Sequence, residues 1–165
     1  MNRAGVDREE FAAFYAATVA RLKAYARCHV SEPSLVDDLT QAAYVRLLTS
    51  PKAALPYPER TLYLFRIVTN LARDHWARDK RYETRSEFHE EFVAPPVSQN
   101  TERSLDVRRA LDKLAPRYRR ILWLAYAEDW RHEEIAQVLN VNRLSVKVML
   151  YRGRKMLARL LEKQR

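Results

Sequence analysis

Two stretches of helical periodicity carry cations beside aromatic side chains, and these residues have the most evident chemistry in the chain. Near the C-terminus, Lys147, Val148, Tyr151, Arg152 and Lys155 fall on one side of a helix. Opposite them runs a stripe of Val146, Met149, Leu150, Gly153, Met156, Leu157 and Leu160. Lys and Arg on the first two turns of such a helix can reach phosphates and guanine edges in a major groove, and Val148 and Tyr151 can touch thymine methyls. Earlier in the chain Tyr63, Arg66, Asn70, Arg73, Lys80 and Arg81 share a face opposite Leu64, Ile67, Val68, Leu71 and His75. That mixture suits single-stranded nucleic acid, because cations neutralise phosphates while an aromatic ring offers an unpaired base a stacking surface. Taken alone, a merely solvated basic face accounts for this second stretch too, and a helical packing unit with a cationic surface imitates the first.

Other reactive residue types point to less. Asp37 and Asp38 are adjacent carboxylates, the minimum for a metal-dependent nuclease, but no further carboxylate cluster accompanies them, and acidic residues at a helix start oppose the macrodipole. Cys28 is the single cysteine, which excludes an internal disulfide and a thiolate zinc cluster within one chain. His29 beside it points about 100° away on a helix, so a buried structural thiol is expected instead of a metal pair. His75, on the apolar stripe, is expected to pack. No metal, no cofactor and no catalytic residue is expected.

The elements that must position these faces are all helical. Only two of the 165 residues are glycine, and Ala, Leu, Arg and Glu dominate without the alternation of strands. The net charge of +9 implies a polyanionic partner. No apolar run approaches the roughly 20 residues of a spanning helix and the N-terminal stretch is polar, so neither membrane insertion nor export is expected and the location is read as cytoplasmic. Residues 1–81 carry 13 basic and 9 acidic side chains, 82–102 carry 1 and 5, and 103–165 carry 16 and 7. The middle block holds Pro95, Pro96, Ser98, Gln99 and Asn100 and no helical period, and reads as a flexible acidic linker between two small helical domains.

In the first domain Phe11, Phe14, Tyr15, Leu22, Tyr25 and Ala26 mark one helix, and a second follows with Ser34 as its cap and Val36, Leu39, Ala43 and Leu47 inward. Its outward side carries Asp37, Asp38, Gln41 and Arg46. A proline-marked loop, Ser50 to Arg60, leads to a third helix from about Thr61 to Arg81. In the second domain Leu105, Ala110, Leu111 and Leu114 mark a helix ending before Pro116, and Ile121, Leu122, Leu124 and Ala125 mark another. A short helix over His132 to Leu139 turns inward Ile135, Ala136 and Leu139. Asn140 then suits a left-handed turn and Asn142 can cap the last helix, giving a helix-turn-helix within residues 116–161.

With these features in place, the chain resembles a bacterial RNA polymerase sigma factor of the extracytoplasmic-function type, the minimal class holding only sigma domains 2 and 4. Val36-Asp37-Asp38-Leu39-Thr40-Gln41 resembles the family's polymerase-binding helix. The run from Tyr63 to His75, Tyr-Leu-Phe-Arg-Ile-Val-Thr-Asn-Leu-Ala-Arg-Asp-His, resembles its promoter-melting helix. Leu114-Ala115-Pro116-Arg117-Tyr118-Arg119, with Glu134-Ile135-Ala136 and Ser145-Val146-Lys147, resembles its C-terminal reader.

The resemblance implies domain 2 over 1–81, a linker over 82–102 and domain 4 over 103–165. It implies that Asp37, Asp38, Gln41 and Arg46 bind core RNA polymerase. Tyr63, Arg66, Asn70 and Arg73, with the Ser50 to Arg60 loop, would capture the opened minus 10 strand. Arg143, Ser145, Lys147, Val148, Tyr151 and Arg152 would read the minus 35 element of promoter DNA as duplex. Ala42 stands where the family usually has Glu, Tyr63 where tryptophan is usual, Asn140 for a common glycine, and Val148 and Met149 for a Ser-Arg pair, implying an unusual promoter preference. An anti-sigma factor is the expected regulator, with phosphorylation of Thr40, Thr49 or Ser50 as another route. The competing reading is a one-component helix-turn-helix regulator, which needs only the C-terminal half.

Overall fold

A computed structural model describes the backbone of residues 5–82 and 102–164 and the side chains of 5–79 and 105–164. The described residues form seven α-helices and no strand, in two compact units. In the first unit α1 (Arg8–Ala26), α2 (Pro33–Leu48), a 3-10 turn (Pro51–Ala54) and α3 (Tyr57–Tyr82) follow in order. Glu9 and Glu10 favour the first turn of α1 by facing the positive end of its dipole. The three helices pack on one another around Phe14, Leu22, Tyr25, Val36, Leu39, Leu47, Leu64, Phe65 and Val68.

Two hydroxyl pairs lie inside this core. Thr18 Oγ1 and Tyr44 Oη lie 2.7 Å apart between α1 and α2, and Tyr25 Oη lies 2.8 Å from Thr69 Oγ1 between α1 and α3. Burial pushes the Tyr44 phenol up to about 12. Cys28 is buried, as expected of a structural thiol.

Three local expectations need correction. Ser34 is not the cap of α2: the helix is entered from Glu32 with Pro33 in its first turn, where a missing N–H costs nothing, and Ser34 donates to the Glu32 carboxylate at 2.7 Å. α3 starts at Tyr57, four residues before Thr61, because Pro58 likewise falls in the first turn. His75 packs only partly, its ring 5.7 Å from that of Trp76. It lies at the partly open end of the apolar stripe, with Nε2 3.1 Å from Asp79.

In the second unit α4 (Glu102–Asp112), α5 (Pro116–Leu122), a π-helical turn (Trp123–Ala127), α6 (His132–Leu139) and α7 (Arg143–Glu162) surround Ala110, Leu114, Tyr118, Ile121, Leu124, Ile135, Val138, Val146 and Leu150. α7 is central, packing on α4, α5 and α6. Gly153 sits where α5 crosses it, and a Cβ there would meet Leu122 at 3.4 Å and Tyr118 at 3.5 Å. In α6, Val138 is buried and Ala136 only partly so, which reverses their expected weights. Met156, expected inward on α7, is exposed. Of the linker expected over 82–102, Tyr82 ends α3 and Glu102 begins α4, while 83–101 lie outside the described residues.

Phe65 has no solvent exposure and stacks 5.2 Å from the Tyr25 ring. Phe65→Ala is expected to destabilise the first unit by about 3–5 kcal/mol, measured by chemical denaturation. A change below about 1 kcal/mol would contradict its place in the core.

Candidate nucleic-acid interface

The last helix takes its direction from a turn built of two asparagines. Asn140 adopts φ 53° and ψ 49°, a left-handed conformation that asparagine tolerates better than most residues. The Asn142 side chain then accepts from the Ser145 N–H at 2.7 Å and caps α7. At the start of α6 the Arg131 N–H donates to Glu134 at 2.8 Å, and Asp129, with φ 55°, makes the preceding bend. Short α6 is thus bounded by a left-handed residue on either side. Arg143 reaches across the turn to Glu133 at 3.0 Å. The Glu133 carboxyl is held below its ordinary range by its own backbone amide and by Arg143.

This geometry displays the expected face. Lys147, Val148, Tyr151, Arg152 and Lys155 are all exposed, with Val148 at 46% and Tyr151 at 54%. Lys155 lies 4.9 Å from the Tyr151 ring centroid and lowers the Tyr151 phenol by hydrogen bond and charge. Arg143 is exposed at the start of the helix and Ser145 is partly buried, its N–H occupied by the cap. Leu144, at the tip, is more exposed than either and carries no expectation from sequence. Arg154 donates to Tyr126 Oη at 3.0 Å beside the same face.

On α3, Tyr63, Arg66 and Asn70 are half-buried and Arg73 is exposed. Successive steps of about 100° keep these four within a sector of roughly 80°. The face is narrower than an even division into inner and outer stripes suggests, since Phe65, Thr69 and Ala72 are buried beyond the expected stripe. Lys80 and Arg81, assigned to this face from sequence, have side chains outside the described residues. In the first turn of the helix, Arg60 is buried. It donates from Nε to Leu55 O at 3.0 Å and from Nη2 to Glu10 at 2.6 Å, tying the proline-marked loop to α1. Lys52, on that loop, places Nζ 4.6 Å from the Tyr63 ring centroid.

On α2, Asp37, Asp38, Gln41 and Arg46 are all exposed. They do not form one strip. Gln41 lies between Asp37 and Asp38 in a sector of roughly 100°, and Arg46 stands about 180° from Asp37 on the helix. Asp37 is also 3.2 Å from Lys23 of α1. Sequence reasoning missed Val45, 60% exposed and one turn beyond Gln41, although the helical period marks it as outward. Thr40 is 1% exposed and donates to Val36 O at 2.7 Å, which removes it as an accessible phosphorylation site. Thr49 and Ser50 lie nearer the surface. Among the described residues no group of His, Cys, Asp and Glu could hold a metal ion, and no helix is long and apolar enough to cross a membrane.

Residues 14–82 match the Sigma-70 region 2 family, and residues 104–165 match the Sigma-70 region 4 family. The chain belongs to the sigma-70 family of RNA polymerase sigma factors, and its role is promoter-specific transcription initiation. Within that family it is of the extracytoplasmic-function type. It is 27% identical over 127 residues to the RNA polymerase sigma factor SigV of Bacillus subtilis, covering 77% of this chain and 76% of that one. It is 30% identical over 134 residues to the ECF RNA polymerase sigma factor SigE of Mycolicibacterium smegmatis, covering 77% of this chain and 52% of that one. Its fold is similar to that of the sigma factor RpoE from Bartonella quintana, solved in complex with the anti-sigma factor NepR. That likeness has a TM-score of 0.80 at 20% identity and covers 95% of this chain and 99% of RpoE.

The Asn142 cap sets both the start and the angle of α7. Asn142→Ala is expected to cost the second unit about 1 kcal/mol, while Asn142→Ser or Asn142→Asp stays near the parent. Thermal denaturation of the four proteins checks this, and equal melting of the Ala and parent forms would contradict the capping role.

Proposed function

We propose that this chain joins core RNA polymerase in the cytoplasm, reads the minus 35 element as duplex through α7, and holds the minus 10 element as an opened strand on α3. The observation that carries the reading is the pairing of two differently built cationic faces in one chain. α7 offers an exposed helix of Lys147, Val148, Tyr151 and Arg152 behind a capped turn, a shape that enters a major groove. α3 offers the amide of Asn70 and the cations of Arg66 and Arg73 on a narrow sector, a surface suited to the phosphates and bases of a single strand. Arg143 and Ser145 would position the first turn of α7 against the backbone. A one-component regulator has no use for the second of these faces.

Residues 1–81 then form the part that binds polymerase and opens DNA, 103–165 the part that grips duplex, and 82–102 the connection. Asp37, Gln41 and Asp38, with Arg46 farther round the helix, would meet the polymerase. The chain supplies binding energy and polymerase performs the chemistry, so it has no catalytic residue of its own. The protein solved with NepR supports an anti-sigma factor as the regulator here as well.

The test is transcription by core polymerase reconstituted with the chain on a random-sequence promoter library. Enrichment of DNA with two conserved elements is expected. No product above that of core polymerase alone would overturn the reading and leave the C-terminal half as a DNA-binding regulator.

On a promoter recovered in this way, Arg152→Ala or Lys147→Ala is expected to weaken duplex minus 35 binding by roughly 1–3 kcal/mol where the lost contact reads a base. Core binding, measured by fluorescence anisotropy of the labelled chain, should stay at the parent value. Asn70→Ala should lower transcription from the closed promoter more than from a pre-opened one, where the contact to the opened strand is lost but no melting is required. Equal loss on both templates would contradict a role in melting.

A further inference from the structure

Tyr63 stands at the end of the α3 face, where an aromatic invites the reading of a stacking platform. One side of its ring is already occupied. Lys52 Nζ lies 4.6 Å from the ring centroid, within range of attraction between a cation and the negative face of an aromatic. Lys52 does not arrive there as a loose surface chain. Its backbone N–H donates to Ser50 Oγ at 3.2 Å, and Pro51–Ala54 forms a 3-10 turn entered from Ser50. Ala53 is buried beneath that turn. The far end of the loop is held at Leu55 O by Arg60, itself buried, paired with Glu10 and stacked 5.1 Å over Phe14.

The loop is therefore fixed at both ends, and its exposed lysine is directed onto α3. Beyond Tyr63 on the same sector come Arg66, Asn70 and Arg73. Lys52 adds a cation to that row at the level of Tyr63, and it does so from a different element.

We propose that Lys52 is a further ligand for a phosphodiester of the opened strand, and that Tyr63 is a positioning residue that seats the Lys52 ammonium and does not stack a base. This rests on the single-strand reading of α3. Lys52 is a compact cation on a flexible stem, which in isolation loses much of its freedom on binding a phosphate. The Tyr63 ring restricts that stem before the strand arrives, so less is lost at the moment of contact. The ring and its lysine act as a unit.

The experiment uses holoenzyme reconstituted with the full chain and a fluorescent fork-junction DNA. The DNA is built from a promoter recovered in the library selection, with its minus 10 non-template strand unpaired. Affinity is measured across a salt series for the parent, K52A, Y63F, Y63L, the K52A/Y63L double variant, R66A and N70A. Each lost single-strand phosphate contact lowers the slope of log affinity against log salt by about 0.7. K52A is expected to show that fall, Y63F to keep the parent slope, Y63L to lose slope with K52A, and the double variant to lose no more than K52A. Circular dichroism melts of each variant separate misfolding from lost contact, and Y63F keeps the ring where Y63L does not.

A Y63L loss of affinity at parent slope that adds in full to K52A would mean the ring stacks a base, and overturns the proposal. A parent slope for K52A alongside weakened R66A and N70A also overturns it while leaving the function of α3 standing. No effect from K52A, R66A or N70A removes the single-strand reading itself, and the proposal with it.

Discussion

Tyr25 of α1 and Phe65 and Thr69 of α3 are buried against one another, ring beside ring and hydroxyl beside hydroxyl. The rest of the first unit follows from that contact. An aromatic pair excludes water from the helix crossing, and in a site so dry a phenol must find a partner, which Thr69 supplies while also donating back to Phe65 O at 2.9 Å. With α1 fixed along one side of α3 and α2 along another, the outward residues of α3 are confined to a narrow sector. Asn70 and the cations beside it occupy that sector between Tyr63 and Arg73, and beyond it Asp74, Ala77 and Arg78 are exposed as well. The same packing turns Asp38, Gln41 and Val45 outward on α2.

The second unit reaches its rigidity by another route. Its reading helix is long, but the preceding helix has only 8 residues and could not hold an angle by its own cooperativity. The turn holds it instead, through the left-handed Asn140, the Asn142 cap and the Glu133–Arg143 ion pair spanning both helices. An exposed ion pair contributes little to stability on its own. Here its effect is orientational, since it sets a cation at the first turn of α7 while leaving the groove-facing side chains clear of α6.

What sequence disclosed and what it hid divide along physical lines. Helical period placed Val36, Leu39, Ala43 and Leu47 inward on α2 and showed both cationic faces, because amphipathicity is local. Asn140 and Asn142 were legible because few residue types suit a left-handed turn or a cap. The start of α3 was hidden by Pro58, which reads as a breaker unless its place in the first turn is known. The depth of α3 was hidden too: Phe65 and Thr69 are buried by partners 40 or more residues away, and no local pattern records that. The seat of Lys52 on Tyr63 belongs to the same class, as a contact between a loop and a helix face. The exposed Val45 and the separate position of Arg46 were readable from the period but were overshadowed by charge.

The burial of α3 over most of its circumference between Leu64 and Ala72 has a mechanical consequence. A helix wedged between two others cannot rotate or bow to suit different ligands, so on the proposed reading the protein is the stiff member of the complex and the nucleic acid the compliant one. Discrimination among promoters would then depend partly on how readily each sequence unstacks before any side chain touches it, with easily deformed pyrimidine–purine steps favoured. Such a factor would sort promoters by their elasticity as well as by their letters.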